Sequence, residues 1–119
     1  MEFFDVVRSR QSIRKLHTTP VESDKLTRIL EAANRAPSAG NLQAYHIIVV
    51  KESSLKARLE AASGNQGSIR EAPVVLVFCA HPEQSATRYG SRGEELYCVQ
   101  DATIACAYAQ LAATALGLA

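Results

Sequence analysis

Apolar residues follow three different rhythms along this chain. The first is helical. Phe3, Phe4, Val6 and Val7 give one buried side to a short helix over Glu2 to Ser9. Leu26, Ile29, Leu30 and Ala33 share a face, with Ser23 as the expected N-cap of a helix reaching Ala36. Leu55 and Leu59 mark a third helix over Ser54 to Ala62. The second rhythm is continuous. Ala44 to Val50 and Ala72 to Ala80 are unbroken enough to predict buried strands, and Pro73 sits at the first residue of the second, where a strand tolerates it. The third is a long Ala-rich stretch from about Glu94 to Leu116, interrupted by Gln100, Asp101, Thr103 and Gln110. It predicts a buried helix at a domain centre or subunit interface, with Gly117 as its cap signal. Two segments, Gly64 to Ser68 and His81 to Glu95, are expected as loops. The order helix, helix, strand, helix, strand, helix argues α/β or α+β, with helices covering a sheet.

One stretch does not fit a simple connector pattern. Ala36, Pro37, Ser38, Ala39, Gly40, Asn41, Leu42 and Gln43 lead straight into the first strand. Pro37 fixes its own φ and pushes Ala36 out of helix. Gly40 offers a positive φ, and Asn41 tolerates one. Ser38, Asn41 and Gln43 add polar groups that a strand core does not need. These are ordinary turn residues, so a helix-to-strand connector is one reading. The other is a polar turn against a planar ligand with hydrogen-bonding edges.

Composition narrows the field. The chain has 119 residues, 47% of them hydrophobic and 21% charged, which is a globular composition for a single domain over residues 1–119. A net charge of +1 supplies no general attraction for nucleic acid or an anionic membrane. Asp101 and Gln100 argue against a membrane span in the long helix. The N-terminus carries Glu2 and Asp5 where a signal peptide would be basic, and no apolar h-region follows, so a cytoplasmic location is expected. Cys79, Cys98 and Cys106 form no C-x-x-C pair, and their apolar surroundings suit reduced, inert thiols.

The candidate chemistry is mostly one of anion binding. From Arg8 to Lys15 the chain places four cations and two hydroxyls in eight residues. This is either a solvated basic segment or an anion site, in which Arg supplies a planar fork of donors and Ser12 a short hydroxyl. His17, His46 and His81 have no metal-ligand spacing, so no metal is expected. There is no nucleophile elbow, no Walker loop and no G-x-G-x-x-G after a strand. A basic segment for a phosphate and two polar Gly/Asn/Gln loops for a ring edge match the two kinds of group that a flavin mononucleotide carries, though neither feature by itself requires that ligand.

Taken together, these segments resemble the nitroreductase family of FMN-dependent oxidoreductases. Arg10, Gln11, Ser12, Ile13 and Arg14 are similar to its N-terminal Arg-x-Ser-x-Arg/Lys motif. Ala36 to Gln43 followed by His46 resembles its Pro-Ser-x-x-Asn-x-Gln-x-x-His segment, and Ala72 to Ala80 resembles its second core strand. Tyr97, Gln100, Asp101, Ala102 and the run to Leu116-Gly117 are similar to its long central helix.

The resemblance implies a nitroreductase-like α+β fold, sandwich-like, with the long helix at a homodimer interface and two FMN sites between the subunits. It implies that Arg10, Ser12 and Arg14 hold the phosphate, ribityl chain and pyrimidine edge, with Gln11 contributing backbone. Pro37, Ser38, Ala39 and Asn41 would line the ring from the other subunit, and Asn65 or Gln66 would meet its polar edge. The implied activity is ping-pong reduction of nitroaromatics, quinones or similar small electron-poor acceptors by NADH or NADPH. No protein side chain is expected as catalytic acid or base, because the chemistry is the flavin's. Family members continue past the Leu-Gly that closes the central helix, so this chain is expected to lack a C-terminal part of the domain. A non-catalytic flavin-binding or dimerisation module is the alternative, and a ligand-free fragment a third reading.

Overall fold

The computed structural model describes all residues from Met1 to Ala119. Six α-helices and two strands follow one another as α1 (Phe3–Ser9), α2 (Ser23–Asn34), β1 (Tyr45–Val50), α3 (Ser53–Ala62), α4 (Gly67–Glu71), β2 (Val75–Ala80), α5 (Pro82–Arg92) and α6 (Cys98–Ala115). A single tight turn at Ala39–Asn41 precedes β1, and a wider helical turn at Gly93–Tyr97 runs directly into α6. The mixture of helices with one small sheet agrees with the α+β expectation.

The sheet is antiparallel, with Tyr45 opposite Ala80, Ile47 opposite Phe78 and Val50 opposite Val75. The His81 N–H extends the ladder by donating to the Ala44 carbonyl at 2.9 Å. Alternation then divides the side chains. Tyr45, Ile47, Leu76, Phe78 and Ala80 face the core, where Ile29, Ala33 and Ala36 from α2 and Ala102, Ala105 and Ala109 from α6 meet them. Those three alanines fall at helical spacing on one side of α6. Their small side chains let α2 and α6 pack with little between them.

The strands depart from the fully buried expectation. Every residue of β2 is half-buried, and Ile48 in β1 is 50% exposed. The reason is that helices α2 and α6 cover only one face of a two-stranded sheet. Four further readings are corrected. Of the apolar positions expected to form a buried side of α1, only Val6 is buried, while Phe3, Phe4 and Val7 are exposed. Ser23 is the first residue of α2; Glu22 holds the cap position, and no side chain caps that end. The segment expected as a loop after Gly64 turns helical at Gly67 and forms α4. His81 to Glu95 is also no loop, because most of it is α5. Pro82 at the first helical turn, Glu83 beside it and Arg92 in the last turn are the signals that mark this helix. Glycine and an isolated tyrosine hide it.

Helix α6 ends as its sequence predicts. Gly117 adopts φ 77°. The Gly117 N–H donates to the Thr114 carbonyl and the Leu118 N–H to the Ala113 carbonyl, the paired bonds of a Schellman cap. Leu118 folds back against the core. No helix is long and apolar enough to cross a membrane.

Candidate functional site

The loop between α2 and β1 is built from left-handed residues. Gly40 has φ 60°, Asn41 55° and Gln43 48°. Two of these were expected from residue type; the third is a glutamine, which rarely takes this conformation without support. Its support is visible. The Gln43 N–H donates to Ser38 Oγ at 2.9 Å, and its side-chain amide donates to the Asn34 carbonyl at 2.7 Å. Inside the turn, the Asn41 N–H donates to the Ser38 carbonyl at 3.0 Å. Ser38 is thus occupied in closing the loop, whereas Asn41 is exposed.

Two helices hold the loop from outside. Asp101 of α6 is only 2% exposed, and its carboxylate accepts the Ala39 N–H at 3.1 Å and the Ala44 N–H at 3.3 Å. From α5, the Gln84 side-chain amide donates to the Leu42 carbonyl, and His81 Nδ1 lies 2.9 Å from Gln84 Oε1. Gly40 lies so close to α5 that a Cβ there would sit 2.7 Å from the Tyr89 hydroxyl and 3.1 Å from an Arg88 nitrogen. Asp101, Gln84, Arg88 and Tyr89 are not foreseen as parts of this site from sequence. The one available signal was Asp101, a carboxylate inside an otherwise apolar helix.

The basic segment forms a second cluster. After Arg10 the chain runs without regular structure to α2, and Gln11, Ser12 and Arg14 are exposed. Elsewhere, Arg8 pairs with Asp5, Lys25 with Glu22 and Arg70 with Glu60, but Arg10, Arg14 and Lys15 have no carboxylate partner. The Leu16 N–H donates to Glu71 of α4 at 3.4 Å, which draws this segment towards the helix that Asn65 and Gln66 precede. Asn65 is exposed with φ 60°; Gln66 reaches back to the Ser63 carbonyl at 3.4 Å. No hydrogen bond or ion pair joins this second cluster to the loop at Pro37 to Gln43.

The site residues therefore fall into two groups: Pro37, Ser38, Ala39 and Asn41 under α5 and α6, and Arg10, Gln11, Ser12 and Arg14 on the segment that leads towards α4. None of them lines the apolar groove of about 530 Å³ between β2 and α6, which is walled by Phe78, Ala80, Val99 and Cys106. Unpaired guanidinium groups suit a phosphate, and exposed asparagines on left-handed turns suit the donor and acceptor edge of a ring.

Comparison with known proteins gives a consistent picture. A family model described as the nitroreductase family matches residues 7–68 and 60–119. An NADH dehydrogenase of Thermus thermophilus is 47% identical over 76 residues, which is 64% of this chain and 37% of that protein. A nitroreductase family protein from Clostridium novyi superposes with a TM-score of 0.86 at 32% identity, over 98% of this chain and 66% of the other. The NADPH:FMN oxidoreductase of Vibrio harveyi, solved with NAD+, superposes with a TM-score of 0.85 at 27% identity, over 97% of this chain and 52% of that one. The chain spans between about a third and two thirds of the length of these relatives.

Proposed function

The chain belongs to the nitroreductase family, and on that premise we propose that it serves as an FMN-dependent NAD(P)H oxidoreductase. The observation that carries this reading is the presence together of Arg10, Arg14 and Lys15 without carboxylate partners and a loop that holds three residues in left-handed conformations. Arg10 and Arg14 would hold the phosphate and the electron-rich edge of the ring, with Ser12 on the ribityl chain and Gln11 offering backbone. Pro37, Ser38, Ala39 and Asn41 would flank the ring, and Asn65 or Gln66 would meet its polar edge. Bound FMN would accept hydride from NADH or NADPH and pass reducing equivalents to an electron-poor acceptor such as a nitroaromatic or quinone, in alternating ping-pong half-reactions.

The residues have a division of labour. Arg14 places positive charge where the ring gains electron density, which favours the reduced state. The tight loop supplies a fixed wall that excludes water from one side of the ring. Because the two clusters are not joined within one protomer, a second copy completes the site in this proposal. Helix α6 supports that arrangement. Its outward side carries Val99, Ile104 and Tyr108, all at least 36% exposed, and α1, which packs against α6, adds exposed Phe3, Phe4 and Val7. Such a surface suits a homodimer. Residues 1–119 are proposed to be part of one domain. Three free thiols suit a reducing compartment, and the cytoplasm is the proposed location.

A visible absorption spectrum tests the proposal. Purified chain titrated with FMN should develop a perturbed flavin band, which should bleach when NADPH is added under nitrogen and return on adding a quinone. A chain that leaves the FMN spectrum unaltered at every concentration would overturn it. Bound flavin that neither NADH nor NADPH reduces would instead mean a flavin-binding module without this activity.

A further inference from the structure

Resting on the flavin reading of the Pro37 to Gln43 loop, we infer that Asp101 is the positioning residue of the site: its buried carboxylate sets the shape of the loop that would flank the ring. Asp101 lies in the first turn of α6, 62 residues from Ala39 and 57 from Ala44 in sequence. One oxygen accepts the Ala39 N–H at 3.1 Å, and the other accepts the Ala44 N–H at 3.3 Å. The two amides are the two feet of the loop. Everything between them, Gly40 to Gln43, contains its three left-handed residues.

The geometry makes Asp101 more than a filler of the core. An ionised carboxylate at 2% exposure is costly unless hydrogen bonds compensate it, and here no Lys, Arg or His forms an ion pair with it. Its hydrogen-bonded compensation is the two loop amides, so the carboxylate and the loop conformation depend on each other. A single side chain with two equivalent acceptors can bridge two amides that both point inwards. An amide side chain cannot, because it offers one acceptor and turns a donor towards the other N–H. The second tether, Gln84 on the Leu42 carbonyl, fixes the apex of the loop and leaves its feet to Asp101. Asp101 touches no proposed cofactor atom and is not a catalytic residue.

The test compares Asp101→Asn and Asp101→Glu with the unaltered chain, by FMN affinity from flavin fluorescence and by residue-level amide hydrogen exchange without FMN. Asp101→Asn should weaken FMN binding at least tenfold and speed exchange at Ala39 and Ala44, while β1 and β2 amides keep their protection. Asp101→Glu, which restores both acceptors, should recover most of the affinity. FMN affinity within twofold of the unaltered chain in Asp101→Asn would overturn the inference. So would exchange that rises equally across α2, α6 and the sheet, since that marks a purely structural loss. Should Asp101→Asn fail to fold, exchange in the unaltered chain decides. Ala39 and Ala44 amides should be protected to the level of the α6 core, and exchange as fast as at an open loop would refute the tether. If the unaltered chain takes up no FMN, the proposed function falls separately, and the same exchange data still decide whether Asp101 holds the loop.

Discussion

Single residues in this protein divide into those that hold shape and those that stand exposed without a partner, which are the proposed binding residues. Arg14 is in the second group, exposed and without a carboxylate partner. Replacing Arg14 with Ala should weaken FMN binding by about 1.5–3 kcal/mol, the range for a hydrogen bond to a charged group, and towards the lower end at an exposed site. Fluorescence titration at low and moderate salt checks this, and unchanged affinity would remove Arg14 from the site. Gly40 is in the first group. At φ 60° and with the Tyr89 hydroxyl 2.7 Å from where a Cβ would sit, Gly40→Ala meets both backbone strain and a clash. The flexible Tyr89 and Arg88 side chains can move away, so the expected cost is that of the backbone, about 1 kcal/mol, read as a lower denaturation midpoint. The disturbed α5 contact should also loosen FMN.

Between elements, one close approach is where α5 meets the Gly93–Tyr97 turn that leads into α6. A Cβ on Gly93 would lie 2.6 Å from the Ser85 carbonyl oxygen and 2.7 Å from its carbon. These are backbone atoms and cannot rotate away. Gly93→Ala should therefore destabilise by about 1–3 kcal/mol or more, as overpacking does, even though its φ of −65° suits any residue. Gly64→Ala is the control. Nothing lies within 4 Å of its Cβ position, and only its φ of 77° opposes the change. Urea denaturation of both variants should place Gly93→Ala well below Gly64→Ala; equal midpoints would show that α5 gives way easily. The same junction explains a misreading of sequence. Glycines at 90 and 93 look like loop residues, yet Gly90 is a kink at φ 58° and Gly93 a packing contact. Residue type alone does not distinguish a glycine chosen for its backbone angle from one chosen for its missing Cβ.

For the whole molecule, the main question is what covers the outward side of α6. Ile104 is 36% exposed and Tyr108 40%, on a helix whose opposite side is the alanine seam of the core. If a second copy of the chain covers them, Ile104→Glu should shift the protein from dimer to monomer in sedimentation velocity and lower FMN affinity at the same time, because the two clusters would then lie in separate molecules. A monomeric variant with full FMN affinity would show that one protomer holds the flavin alone.

The hydrophobic pattern by itself determined α1, α2 and α3 through their helical spacing, α6 as a long Ala-rich run, and β1 and β2 as short continuous apolar runs rich in Val and Ile, all within a few residues. It also determined the left-handed Gly40 and Asn41 and the cap at Gly117, because those backbone angles depend on residue type and immediate neighbours. The order and spacing of Arg10 to Arg14 and Ala36 to His46 sufficed to indicate the family. Tertiary structure alone decided the rest. The partial exposure of the strands follows from how many elements cover the sheet, which no strand sequence contains. The helix at Pro82–Arg92 carries end signals in its sequence, but that Gly93 serves there as a close contact on Ser85 is visible only in the fold. The role of Asp101 exists only because folding brings two amides, some sixty residues away, onto the two oxygens of one buried carboxylate.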